Sequence, residues 1–205
     1  QLGAYDFIEK PFNIDRIYHL LSRADENTKL KRENASLKQR LESGNVSELQ
    51  GESVAIQSLR NTISKVAPAS SRVLITGPAG SGKEVVARAI HAQSPRADGP
   101  FVLVNCATLE ANRIEQELFG EEMPDGRVKT GLLEEADDGT LLLDEVADMP
   151  LSTQGKIVRM LQSQRFQRVG GTQPVDVDVR VLATTQDDLE VRVQAGEFRE
   201  DLYYR

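Results

Sequence analysis

The sequence predicts an α/β fold: a parallel sheet with helices on both faces. Three observations carry that prediction. The apolar runs RVLIT (72–76), FVLVN (101–105), TLLLD (140–144) and VRVLATT (179–185) read as strands buried on both sides. Helical patterns lie between them, near 83–93, 110–118 and 152–163, so strand and helix alternate across 46–205. The first strand runs straight into GPAGSGKE (77–84) and then into an amphipathic helix, the strand–loop–helix order of a phosphate-binding loop.

Ahead of that block, residues 1–22 read as strand, tight turn and helix. Tyr5, Phe7 and Ile8 form an apolar-aromatic patch that stops at Lys10-Pro11, and Ile14, Ile17, Leu20 and Leu21 recur at helical spacing behind the candidate caps Asn13 and Asp15. The stretch is too short to be a domain alone. Residues 23–45 are polar, with Leu30, Asn34, Leu37 and Leu41 on an a/d seam that sets Asn27 and Asn34 at a positions. A parallel dimerising coil and a solvated single-helix linker both fit a seam this short. Gly44-Asn45 ends the helix.

Composition narrows the function. Among 205 residues, 25 basic side chains face 32 acidic ones, for a formal charge of −7. Nucleic acid would have to be held by a local patch or by a segment outside this chain, not by bulk electrostatics. No run approaches the roughly 18 apolar residues of a membrane span, and the start does not read as a signal peptide. Cys106 is the only cysteine, which excludes an internal disulfide framework and fits a reducing cytoplasm. With two His and that one Cys, no structural zinc site is expected. The chain opens on Gln1 and closes inside FREDLYYR, so we expect an internal piece of a longer protein.

Within the loop, Gly77, Gly82 and Lys83 match G-x-x-x-x-G-K, and Pro78, Ala79, Gly80, Ser81 and Glu84 complete the cradle. Gly80 and Gly82 let the backbone turn its N–H groups inward. The helix starting near Lys83 aims its positive end at the same anion, and Lys83 adds a mobile charge for the outer phosphates. Glu84 stands where most such loops place a Ser or Thr on magnesium, so Mg2+ would rest on Asp144 and water. A loop that only turns the chain is the bland alternative, and the flanking strand and helix argue against it. In GTLLLDEVADMP (139–150), two carboxylates close a strand at the end where open α/β sheets bind ligands. Asp144 would hold the metal through its water shell, and Glu145 would polarise the attacking water. The same acids could instead cap the next helix.

These residues resemble the AAA+ domain of bacterial enhancer-binding proteins, the sigma-54 activators of the NtrC type, over nearly the whole chain. That family carries GKE, as here. FVLVNCATL (101–109) resembles its second strand, with Asn105 at the position of the switch asparagine that contacts the catalytic glutamate. ELFG (117–120) resembles the entry to its remodelling loop, and RFQRVGG (165–171) with VDVRVLATT (177–185) its later segment, placing Thr185 at the sensor I position beside Gln186. FREDLYYR (198–205) resembles the arginine-finger segment, with Arg199 and Arg205 at the two candidate positions. Singly, Asn105 and Thr185 could be strand-end polar residues and the two arginines surface charges; order and spacing raise all four together. Residues 1–22 resemble the end of a response-regulator receiver domain, with Lys10 at its phosphate-pairing lysine and Phe7 at its aromatic switch.

The resemblance implies a two-component response regulator with ATP and Mg2+ as cofactors and an ATPase that is weak or dependent on oligomerisation. It implies a homo-oligomer, dimeric through the linker and ring-forming through the AAA+ part. It implies a cognate sensor histidine kinase, DNA contact through a C-terminal domain outside this chain, a cytoplasmic location and no membrane. One departure bears on function. Where the family carries a GAFTGA loop that touches sigma-54, this chain has EEMPDGRVKT (121–130), about four residues shorter, a change that costs little in loop entropy. This resembles the NtrX branch, associated with nitrogen and redox control. The expected function is an ATP-binding transcription regulator that is not a conventional sigma-54 activator. Two alternatives stay open: a functional sigma-54 activator ATPase, and a phosphorylation-controlled DNA-binding regulator whose nucleotide site is purely structural.

Overall fold

The computed structural model describes residues 49–108 and 111–205; the readings of 1–22 and 23–45 fall outside them. Helix α1 (Val54–Val66) starts where Ser53 Oγ accepts the Ile56 N–H at 3.3 Å. Then follow β1 (Val73–Thr76), α2 (Lys83–Ala92), β2 (Phe101–Asn105) and α3 (Ala111–Phe119). A short hairpin of β3 (Glu121–Glu122) and β4 (Val128–Lys129) leads through α4 (Leu132–Glu135) to β5 (Thr140–Asp144). After a 3-10 turn (Val146–Asp148) come α5 (Leu151–Ser163), β6 (Arg165–Gln167), β7 (Pro174–Asp176), β8 (Arg180–Thr185), α6 (Leu189–Gln194) and α7 (Glu200–Tyr203). The four long strands lie within a residue of their expected places.

Those four strands form one parallel sheet in the order β1-β8-β5-β2. Thr76 pairs with Thr185 and Asn105 with Asp144, so the polar strand ends fall in one row at the carboxyl edge. Strand β5 has neighbours on both sides and Thr140 to Leu143 are all buried, as its unbroken apolar run requires. Successive side chains leave on opposite faces. Leu142 and Leu182 pack with Ile63, Val86 and Ile90 of α1 and α2. Leu141 and Leu143 pack with Leu118, Ile157, Leu161 and Phe198 on the other side. Each such buried leucine contributes about 1.5–3 kcal/mol, so both helical layers are held by the strands that carry the site.

At the opposite edge, Arg180 is 3% exposed. Its guanidinium donates to Val66 O at 3.0 Å and Ala67 O at 2.7 Å, closing the carbonyl end of α1, and to Ser71 O at 3.1 Å in the run to β1. Among the described residues, no helix is long and apolar enough to cross a membrane.

Candidate functional site: a phosphate loop facing two carboxylates

The loop leaves β1 at Gly77, whose N–H donates to Thr185 O at 3.2 Å, and closes on itself through Ser81 N–H to Pro78 O at 3.2 Å. Gly80 and Gly82 adopt left-handed φ of 73° and 86°. A Cβ built on either meets no atom within 4 Å, so backbone conformation rather than space calls for glycine there. Gly82 brings no side-chain cap to α2, leaving the first-turn N–H groups for an anion. Lys83 is only 8% exposed. Its Nζ donates to Gly77 O at 3.0 Å and Pro78 O at 3.4 Å and lies 3.0 Å from Glu145 Oε1. Glu84 turns aside: its carboxylate pairs with Arg88 at 2.7 Å, and Arg88 lies 4.7 Å over the Phe101 ring. At that position the cradle is therefore backbone.

Across from the loop, Asp144 is fixed on both oxygens. Thr184 Oγ1 donates to Oδ1 at 2.5 Å and Asn105 Nδ2 donates to Oδ2 at 3.2 Å. Glu145 follows in the left-handed region, φ 51° and ψ 57°, a conformation costing about 1–2 kcal/mol for a residue with a Cβ. Its N–H donates to Thr184 Oγ1 at 3.1 Å, and its Oε2 accepts the Gln186 N–H at 3.1 Å. That turn swings Glu145 towards Lys83, away from β2.

Two sequence-based assignments change as a result. Asn105 reaches Asp144, its register partner on the adjacent strand, and not Glu145. The hydroxyl that meets the carboxylate is that of Thr184, which the sequence reading missed. Thr185 Oγ1 instead accepts the Asp187 N–H at 3.0 Å. Strand alternation is the signal that finds Thr184: it shares a face with Leu182, as Asp144 does with Leu142.

The arginines lie apart from this cluster. Arg199 caps α7, and its guanidinium clasps Asp201 through Nε at 2.9 Å and Nη2 at 2.7 Å, which holds the Asp201 carboxyl below its usual range. Arg205 is exposed. Among the described residues, no hydrogen bond or ion pair joins either side chain to Lys83, Asp144 or Glu145. Burial first, then Asp144, Asp148 and Glu145, push the adjacent Cys106 thiol up to about 12. Among the described residues no cluster of three or more His, Cys, Asp or Glu side chains is placed to hold a metal. A metal here would rest on Asp144 with phosphate oxygens and water, the arrangement Mg2+ favours.

Residues 121–130 form the β3–β4 hairpin, with Glu121 opposite Lys129 and Glu122 opposite Val128. Its charges pair locally, Arg127 with Asp125 at 2.7 Å and Lys129 with Glu117 at 2.8 Å. Its base is tied to the later segment: Glu122 N–H donates to Val169 O and Val169 N–H to Gly120 O, both at 2.9 Å.

Comparison with known proteins places this architecture. The family model described as the sigma-54 interaction domain matches residues 49–205. The nitrogen assimilation regulatory protein NtrX of Azorhizobium caulinodans is 52% identical over 204 residues, covering 99% of this chain and 44% of that protein. A crystal structure of NtrX from Brucella abortus superposes with a TM-score of 0.80 at 56% identity, over 99% of this chain and 44% of that one. A second, in complex with ATP, gives 0.75 at 56% identity, over 99% and 43%. The chain thus spans less than half the length of these relatives. The parallel sheet and its loop are the AAA+ P-loop fold expected from the sequence, and the chain belongs to the sigma-54 interaction domain family.

Proposed function

We propose that this chain is the ATP-binding and ATP-hydrolysing part of a cytoplasmic two-component transcription regulator of nitrogen or redox response. The observation that carries the reading is the convergence on Lys83: loop carbonyls on one side, Glu145 on the other, and Asp144 held beside them by Asn105 and Thr184. The loop N–H groups and the start of α2 suit the phosphates, with Lys83 on the outer ones. Asp144 would hold Mg2+, which when bound neutralises phosphate charge. Glu145, released from Lys83 as phosphate takes its place, accepts a proton from the attacking water. Arg199 or Arg205 of a neighbouring copy completes the site, which accords with the lack, among the described residues, of any hydrogen bond or ion pair from either side chain to Lys83, Asp144 or Glu145. That the relative from Brucella abortus was crystallised with ATP and with ADP supports the nucleotide. We propose sensor-kinase control, DNA contact and ring assembly for the whole protein.

We further infer that the protein is not a conventional sigma-54 activator. A contact loop gains affinity by burying apolar surface. The β3–β4 tip offers a half-exposed Val128 among paired charges, each of which costs free energy to desolvate. Conventional activation is the second reading, favoured by a family match that runs through the hairpin. The test is phosphate release as a function of protein concentration, together with capture of sigma-54 in ATP or a transition-state mimic. Turnover without capture is expected; nucleotide-dependent capture that is lost on replacing residues 121–130 favours the second reading.

A further inference from the structure

Gln154 is wholly buried in the first turns of α5, within an apolar core. A glutamine amide offers two donors and an acceptor oxygen, and all three are used on main chain. Nε2 donates to Met149 O at 2.7 Å and to Glu197 O at 3.3 Å, while Oε1 accepts the Arg199 N–H at 2.8 Å. Met149 ends the turn that opens at Glu145, where the Asp148 N–H meets Glu145 O at 3.1 Å and the Met149 N–H meets Val146 O at 3.2 Å. One side chain therefore ties the run leaving Glu145 to the run that presents Arg199. The Arg199 guanidinium passes over α5 at Gly155, where a Cβ would lie 3.7 Å from Nη1.

We propose that Gln154 is a positioning residue for Arg199: its buried amide fixes the main chain from which the arginine reaches the nucleotide of a neighbouring copy, and registers it against the loop after Glu145. This rests on the reading of Arg199 as completing the site between copies. A buried amide costs free energy unless fully paired, and an apolar side chain would fill the same core space. The bonds it makes are specific to the two segments that must stay in register. An arginine supplied across subunits contributes about a thousandfold or more to rate, and a displacement of about 1 Å can cost up to about a hundredfold. The main-chain anchor of Arg199 is thus a point where small shifts matter.

The test uses the full-length protein with Gln154→Met, Gln154→Glu, Arg199→Ala and the Gln154→Met/Arg199→Ala double variant. Steady-state kinetics are read beside hydrogen exchange at the Arg199 amide. Gln154→Met should lower kcat by about 10- to 100-fold, leave ATP affinity unchanged and expose the Arg199 amide to exchange. The double variant should be no slower than Arg199→Ala alone. Gln154→Glu keeps the size, the acceptor and, protonated by burial, one donor. It should protect the Arg199 amide and lose less kcat, and it covers the case in which Gln154→Met fails to fold. Unchanged exchange at Arg199, a loss carried in KM, or equal slowing of the wild-type and Arg199→Ala proteins would overturn the proposal. An Arg199→Ala protein with wild-type turnover overturns the underlying reading and this one with it, and is recognised without any Gln154 variant.

Discussion

The Glu145 carboxylate lies 3.0 Å from the Lys83 ammonium, and the two side chains are 17% and 8% exposed. The charge that binds outer phosphates and the carboxylate that activates water thus neutralise each other across a largely enclosed site, where the attraction is weakly screened. Phosphate and Glu145 compete for Lys83. Glu145→Gln should therefore bind ATP at least as tightly as the wild type and lose about a hundredfold or more in turnover, the usual weight of a general base. Lys83→Ala should lose ATP binding in titration calorimetry. A Glu145→Gln protein that binds ATP more weakly than wild type would show that the pair supports the site rather than guarding it.

Thr184 holds Asp144 Oδ1 and the Glu145 N–H at once. Thr184→Val keeps the shape and removes both bonds. It should raise the Mg2+ concentration needed for half-maximal turnover several-fold, whereas Thr185→Val, which touches neither carboxylate, should leave it in place. A magnesium titration of the two variants separates them.

Arg180 works at the other end of the sheet. Arg180→Met removes a donor from Val66 O and Ala67 O at the end of α1 and from Ser71 O just ahead of β1, which should cost about 3 kcal/mol in urea unfolding. ATP affinity of the protein still folded should not change, because the loop lies at the carboxyl edge.

His91 makes stability depend on pH. It is 8% exposed, its Nδ1 lies 2.9 Å from Thr140 Oγ1, and its ring packs 5.2 Å from that of Phe101. Burial, with smaller contributions from Arg180 and Arg88, outweighs a backbone hydrogen bond at Gly99 and sets its pKa below the ordinary 6.5. The unfolded chain then takes up the proton first as pH falls, so stability is full above about 6.5 and declines below it. Thermal melting at pH 7.5 and 5.5 should show a larger drop for the wild type than for His91→Gln.

The strands, the loop and the carboxylate pair were legible in sequence because each leaves a local mark: an apolar run, glycines at fixed offsets, acids directly after a strand. What escaped depends on contacts distant in the chain. Gln154 and Arg180 look like surface polar residues until tertiary packing buries them against main-chain carbonyls. The left-handed backbone at Glu145 leaves no compositional trace, yet it decides that Lys83 rather than Asn105 meets the carboxylate. In the 121–130 segment the charges were visible, but their pairing and the tie to Val169 come from a hairpin of two-residue strands too short to show alternation.

The most direct test mixes two inactive proteins. Lys83→Ala binds no ATP but carries both arginines; Arg199→Ala or Arg205→Ala binds ATP but lacks one of them. If the site assembled from the loop, Asp144 and Glu145 is completed by an arginine of the next copy, each protein supplies what the other lacks. Mixing should then restore phosphate release, and wild-type turnover per subunit should rise with concentration. No recovery with either arginine variant, together with turnover per subunit independent of concentration, would contradict a site shared between copies.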